Sequence, residues 1–275
     1  MPEGPEIWRT ADRLSDALVG HAATGIYFAF DHLKQYEEQL AGRKVREVEP
    51  KGKAIITRFD NGLNIYSHNQ LYGKWIITDG DPEPDTNRQL RVTIRNSSHE
   101  ARLYSASDIE VLDDDGLRQH NYLNKLGPDL LHPEVGFEEV YRQITDNRYQ
   151  NRKLATLLLD QGFLSGVGNY LRSEILFYAG INPESKLGEC SESRKKELAD
   201  AALKMARRSY ETGGITNDPR IVEALKREGS KRKNYRHFVY GRENRRCHKC
   251  GTVIELNSTG GRKIYYCPEC QSVER

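Results

Sequence analysis

The sequence predicts an α+β protein: an N-terminal antiparallel β-sandwich led by one helix, then a helical domain that ends in a metal-bearing β-hairpin. Three observations carry this. Short, alternating, β-branched and aromatic segments crowd residues 24–106, helical apolar periodicity takes over after residue 125, and four of the five cysteines fall in the last thirty residues.

The first helix is expected over 6–18, where Ile7, Ala11, Leu14 and Leu18 share one face. Gly4 can cap it, Pro5 suits its first position and Glu6 suits the positive end of its dipole. Seven strand-like segments follow: TGIYFAF, KVREVEP, KAIITRF, LNIYSHN, KWIITD, LRVTIR and EARLYSA, with Asp60-Asn61-Gly62 as a hairpin turn. Leu126-Gly127-Pro128-Asp129 is a connector. Helices are expected over 137–145, 150–163, 169–179 and 192–210; the last carries Leu198, Ala201, Ala202 and Met205 on one face, with Ser191 as N-cap. The stretch 211–235, rich in glycine and charge, reads as a mobile or irregular basic loop. These signals divide the chain into a sandwich over 1–125, a helical domain over 126–220, and a basic loop with a four-cysteine finger over 221–275.

The net charge of +2 hides an asymmetry: from Arg220 onward the chain carries +8, and the rest carries −6. A basic C-terminal segment suits a polyanion or a solvated face. No apolar run is long enough to span a bilayer and the start lacks a secretory signal, so a cytoplasmic protein is expected.

Cys247-x2-Cys250 and Cys267-x2-Cys270, sixteen residues apart, have the spacing of a closed four-cysteine zinc site. Two matched pairs argue against a redox dithiol, and a full thiolate set makes the ion structural. Cys190 lies outside the pattern and reads as a plain small residue. Arg262 and Lys263 fall near the tip of the hairpin between the pairs.

Other features stay open on residues alone. In Ser165-Gly166-Val167-Gly168-Asn169, two glycines precede a helix whose free N–H groups could bind an anion, with Asn169 as a further donor; an ordinary helix hairpin capped by Asn169 fits equally well. Gln70-Leu71-Tyr72 is either a sheet residue with its turn or an exposed wedge. Lys53 alone is one strand lysine among many. MPEGPE is either a helix entry or, with Met1 removed, a secondary amine on Pro2 beside the acid Glu3.

Taken together, PEGPE, KGKA at 51–54, YSHNQLYG at 66–73, LYSASDIE at 103–110, LGPD at 126–129, LLLDQGFLSGVGNYLRSEIL at 157–176 and the finger with GRKIYYCPEC resemble the formamidopyrimidine-DNA glycosylase / endonuclease VIII family over essentially the whole chain, most closely its endonuclease VIII branch. The resemblance implies a helix–two-turns–helix module in the second domain and a base-excision repair enzyme, a bifunctional DNA glycosylase and AP lyase. It implies Pro2 as the nucleophile that forms a Schiff base, Glu3 as the acid/base, Lys53 in β-elimination and Arg262 in δ-elimination. Gln70, Leu71, Tyr72, Lys125 and Asn169 would contact DNA, with Leu71 and Tyr72 filling the hole left by a flipped base. The implied partner is double-stranded DNA carrying oxidised bases or abasic sites, bound by a monomer with one zinc ion.

Two departures bear on substrate. Lys125 stands where the family has an arginine, which keeps the charge and loses the bidentate fork. FVYGR and the basic 211–235 segment look closer to the formamidopyrimidine branch, so oxidised pyrimidines are the first expectation and oxidised purines the alternative. A non-catalytic damaged-DNA-binding protein is the competing class, opposed by Pro2, Glu3 and Lys53 occurring together.

Overall fold

The computed structural model describes residues 2–80 and 84–272. The chain divides into two compact units, Met1–Pro2 with Glu6–Lys125, and Glu3–Pro5 with Leu126–Arg275.

Helix α1 (Gly4–Leu18) is followed in the first unit by β1 (Gly25–Phe28), α2 (Gln35–Leu40), β2 (Val45–Lys51), β3 (Ala54–Phe59), β4 (Asn64–His68), β5 (Lys74–Thr78), β6 (Leu90–Arg95), β7 (Glu100–Tyr104), β8 (Asp108–Leu112) and α3 (Asp114–Gln119). The strands form two four-stranded antiparallel sheets, ordered β1-β6-β7-β5 and β2-β3-β4-β8. Side chains alternate across each strand, so one face of each sheet can turn inward. Phe28, Trp75, Val92, Ile94 and Leu103 from the first sheet share one apolar cluster with Val45, Ile55, Phe59, Ile65 and Val111 from the second. The stripe of α1, Ile7, Ala11, Leu14 and Leu18, is buried in the same cluster. The opposite face of the second sheet packs Ala54, Ile56 and Tyr66 against Leu117 of α3. Asp60-Asn61-Gly62 turns β3 into β4, with the Asn61 carboxamide accepting from Leu63 N–H at 3.2 Å. β8 and helices α2 and α3 are additions to the elements expected from the sequence.

The second unit holds α4 (Phe137–Thr145), α5 (Leu154–Leu157), α6 (Asn169–Tyr178), α7 (Glu192–Glu211), α8 (Pro219–Arg227), α9 (Arg232–Tyr235) and the hairpin β9 (Glu255–Thr259) and β10 (Arg262–Tyr266). Its centre is α6, buried nearly all round: Leu171, Ile175 and Leu176 are at most 1% exposed. Leu198, Ala201, Ala202 and Met205 of α7 join that core, as do Cys247, Ile254, Ile264 and Cys267 of the finger. Ser191 caps α7 by accepting from Arg194 N–H, as its sequence predicts.

Two expectations are corrected here. The helix over 150–163 shrinks to the single turn of α5. Asp160 accepts from Gly162 N–H, and Gln161 donates to Leu159 and Val167 carbonyls while accepting from Gly166 N–H, so side chains take over the backbone partners a longer helix would need. The segment 211–235 is ordered and partly helical. Asp218 caps α8 with Pro219 in its first turn, and Gly229 at φ +73° ends it with Ser230 N–H on Leu225 and Gly229 N–H on Lys226. Among the described residues, no helix is long and apolar enough to cross a membrane.

Candidate active site and nucleic-acid interface

Glu3 is buried, 3% exposed, and its carboxylate caps α6. Oε2 accepts from Gly168 N–H at 2.9 Å and Leu171 N–H at 3.1 Å, and Oε1 accepts from Tyr170 N–H at 2.8 Å. The next residue continues the anchorage, with Gly4 N–H donating to the Gly166 carbonyl at 2.8 Å. These donors and the positive end of α6 both favour a charged oxygen. Gly168 has to be glycine for this approach: a Cβ there would stand 2.4 Å from the Glu3 carboxyl carbon and 2.5 Å from Oε1. The sequence suggested a bound anion at this glycine turn. The anion is the protein's own carboxylate, brought from 165 residues upstream. The N-cap position is Gly168, not Asn169.

Asn169 opens α6 and is half-buried. Its Oδ1 accepts from Arg172 Nη2 at 3.4 Å, which turns the amide so that Nδ2 is its remaining donor. Arg172 is fully buried and also donates to the carbonyls of Ala155 and, at 2.7 Å, Lys263. Burial first, then the neighbouring Arg262 charge, pushes its pKa down to about 10, so the guanidinium stays charged at neutral pH. Through Lys263, Arg172 ties the start of β10 to α6. Arg262, exposed, is the first residue of β10 and pairs across the hairpin with Thr259 around Gly260-Gly261.

Behind the hairpin a second carboxylate fixes the incoming chain. Glu174 of α6 is fully buried and accepts from the N–H groups of Phe238, Val239 and Tyr240 at 2.8, 2.9 and 2.9 Å. Thr216 gives its one hydroxyl proton to Glu174, so His237 Nδ1, 2.9 Å from the same oxygen, is the donor there. Burial, reinforced by Arg236, Arg232 and Arg242, pushes His237 down to about 3 and keeps it neutral.

The four finger cysteines converge, with all ligand sulfurs within 4.8 Å of one another. Cys247–Cys270 and Cys250–Cys267 sulfurs are 4.0 and 3.4 Å apart. A tetrahedron with Zn–S bonds of about 2.3 Å has edges of about 3.8 Å, so the set fits zinc. N–H groups of Lys249 and Cys270 face Cys247 and Cys267 sulfur, as suits thiolates in tight turns. The Thr252 hydrogen bond pulls Cys250 down to about 6. Cys190 is outside this cluster.

In the first unit, Lys53 sits in the turn between β2 and β3 and is 7% exposed, so it is not a solvated strand lysine. Its N–H donates to Tyr122 Oη at 2.9 Å. Tyr122 in turn lies edge-on to His68, ring centroids 5.3 Å apart. Burial, with the Lys53 charge adding to it, lowers the His68 pKa against the opposing pull of Asp108. Lys125, exposed, closes the same short turn by donating its N–H to the Tyr122 carbonyl.

β4 and β5 belong to different sheets, so residues 69–73 form a crossover. Gly73 N–H returns to the Asn69 carbonyl at 2.7 Å, and a Cβ on Gly73 would meet that oxygen at 2.4 Å. Gln70 has φ +50°, accepts from Ser107 Oγ at 2.8 Å and donates its N–H to His68 Nδ1 at 3.2 Å. Between these fixed points Leu71 and Tyr72 stand 60% and 70% exposed, unlike a buried sheet residue with its turn. Sequence reasoning missed His68, Tyr122, Ser107 and Arg172; the first, third and fourth lie inside motifs quoted above that could have flagged them, and Tyr122 lies in none.

The formamidopyrimidine-DNA glycosylase N-terminal domain matches residues 1–107, and the formamidopyrimidine-DNA glycosylase H2TH domain matches residues 126–219. Endonuclease 8 of Klebsiella pneumoniae is 42% identical and that of an Escherichia coli strain 44% identical, each over 98% of this chain and 100% of the relative. The fold is also that of Lactococcus lactis formamidopyrimidine DNA glycosylase bound to DNA with an AP site (TM-score 0.80, 20% identity) and bound to DNA containing N7-benzyl-Fapy-dG (TM-score 0.81, 22% identity); these cover 98% and 99% of this chain and 100% of theirs. The chain is therefore a member of the formamidopyrimidine-DNA glycosylase and endonuclease 8 family of DNA glycosylases.

Proposed function

We propose that this enzyme removes oxidised bases, pyrimidines foremost, from double-stranded DNA and then cleaves the strand by β,δ-elimination through a Schiff base on Pro2. The observation that carries the reading is the Glu3 anchor, because the residue that follows Pro2 is held by three backbone N–H groups. With Met1 removed, Pro2 offers a secondary amine. An α-amino group has a reference pKa near about 8, against about 10.4 for lysine, so more of it is free base at neutral pH.

The amine attacks C1′, the bond from C1′ to the base breaks, and the base leaves. The proton lost from the Pro2 nitrogen passes to the Glu3 carboxylate, which returns it to the sugar ring oxygen as the ring opens. The iminium formed is an electron sink: loss of a C2′ proton expels the 3′ phosphate, and a second elimination expels the 5′ phosphate. Lys53 is assigned to the first elimination and Arg262 to the second and to the phosphate flanking the lesion. Asn169, through Nδ2, and Lys125 contact backbone phosphates, and Gln70 contacts the duplex where Leu71 and Tyr72 wedge into it. Cys247, Cys250, Cys267 and Cys270 hold one structural zinc ion, which supplies no chemistry and fixes the hairpin bearing Arg262. The work is assigned to the cytoplasm, as the sequence reading expects, and one chain carries every residue the reaction uses, so a monomer suffices.

Borohydride trapping tests the mechanism. Protein of verified mass lacking Met1 should form a covalent adduct with abasic duplex, and Pro2→Gly should not; an equal adduct from Pro2→Gly removes the assignment. Lesion choice is tested by single-turnover excision of thymine glycol, dihydrouracil and oxidised guanine in one sequence context at one salt concentration. The QLY wedge supports faster pyrimidine excision. The second reading, oxidised purines, draws on FVYGR and the ordered 211–235 segment, and a clear preference for oxidised guanine would establish it.

A further inference from the structure

The segment formed by α8, α9 and the turn between them supplies no reacting group in the steps above, yet it is both strongly basic and firmly held. Between residues 219 and 236 it carries seven Lys/Arg and two Glu. Arg220, Lys226, Arg227, Lys231 and Lys233 are exposed. Lys226 lies over the Tyr235 ring at 5.5 Å, and Arg227 pairs with Glu223 at 3.7 Å. Arg220, Lys231 and Lys233 have no carboxylate within ion-pair distance among the described residues.

Three arginines strap the base of the segment to carbonyls: Arg208 to Thr216 at 2.9 Å, Arg232 to Gly213 at 2.7 Å and Arg236 to Gly214 at 2.7 Å. Asn217 Nδ2 donates to the Tyr235 carbonyl at 3.1 Å, and Thr216 N–H to the Arg236 carbonyl at 2.9 Å. Val222 is the buried anchor of α8. Like charges held together on a rigid surface repel one another, and no internal acid neutralises Arg220, Lys231 or Lys233. Arg220 lies in the first turn of α8, Lys231 is the N-cap residue of α9 and Lys233 lies within α9, so the charges are distributed along the segment, which suits an extended polyanion.

We propose that α8, α9 and the turn between them form a phosphate-contacting surface that grips duplex DNA independently of the lesion. This rests on the reading that the substrate is duplex DNA. Each phosphate contact adds about 0.9 to the slope of log affinity against log salt. The variant R220A/K231A/K233A should therefore flatten that slope by up to about 2.7, so that between about 50 and 200 mM salt the wild type loses roughly 40-fold more affinity than the variant. The flattening should be equal on undamaged and abasic duplexes. The charge-keeping variant R220K/K231R/K233R should retain the wild-type slope. Parallel salt lines for wild type and the alanine variant overturn the proposal. So does loss confined to lesion-bearing DNA, which would make the segment a base reader, and so does a flattened slope in the charge-keeping variant. Failure of wild-type protein to bind any duplex would instead defeat the functional reading beneath it.

Discussion

Gly168→Ala is the most informative single change, because its backbone cost is negligible and its steric cost is local. Gly168 has φ −131°, a conformation open to alanine. The new Cβ, however, would stand 2.4 Å from Glu3 Cδ and 2.6 Å from Cγ, where ordinary contact begins near about 3.4 Å. The carboxylate has to retreat by roughly 1 Å, and a displacement of that size at a reacting group costs on the order of 100-fold in rate. Retreat also weakens three hydrogen bonds to a charged acceptor, each contributing about 1.5–3 kcal/mol, and the N–H groups are left buried. A net loss of about 2–4 kcal/mol lowers the melting temperature by roughly 4–16 °C for a chain of this size. The assays are single-turnover excision on an oxidised-base duplex, borohydride trapping and thermal unfolding. Glu3→Gln is the comparison: it keeps the volume, loses one acceptor, and should lose excision while binding DNA nearly as well as wild type. Gly168→Ala protein with wild-type excision and an unchanged melting temperature would refute the claim that this carboxylate has to sit where it does.

Removal of zinc by a chelator should weaken DNA binding and lower the melting temperature, because the hairpin carrying Arg262 loses its anchor; unchanged affinity after verified metal loss contradicts this. Leu71→Ala with Tyr72→Ala should slow excision from duplex DNA at least 10-fold and leave fold stability within about 0.5 kcal/mol, since both side chains are exposed; equal duplex rates by single-turnover assay count against a wedge. His237 is neutral in the folded protein, with a pKa of about 3, and takes a proton in the unfolded chain below about 6.5. The unfolded state thus binds more protons between these values, and stability falls as pH drops from 6.5 towards 3, by up to about 1.4 kcal/mol per pH unit. Denaturant unfolding of His237→Gln should show a shallower fall over that window, and an identical slope rules His237 out as its source.

Patterns that a short window of residues can express were legible in the sequence. The stripe of α1, the apolar β-branched run of β3 and the paired cysteines each state their structure within a few residues. What escaped was decided by distant partners. α5 stops after one turn because Asp160 and Gln161 side chains claim nearby backbone groups, while a plain apolar pattern over 150–163 promises a longer helix. α8 was legible in part: Asp218, Pro219 and Gly229 are ordinary start and stop residues, masked by surrounding charge and glycine. At the candidate site, Glu3 and the glycine turn each drew attention separately, but nothing local says that one fills the other. Tyr122 beneath Lys53 and Arg172 beneath Lys263 depend on separations of 69 and 91 residues, which no motif spells out.

The Glu3 anchor also sets a clock on synthesis. Its three donors lie 165 to 168 residues further along the chain. At about 5–20 residues per second, roughly ten to thirty seconds pass between translation of Glu3 and translation of Gly168. Throughout that interval the nascent terminus has no α6 to hold it, so the Glu3 anchor beside the proposed nucleophile is completed only after most of the protein has been made.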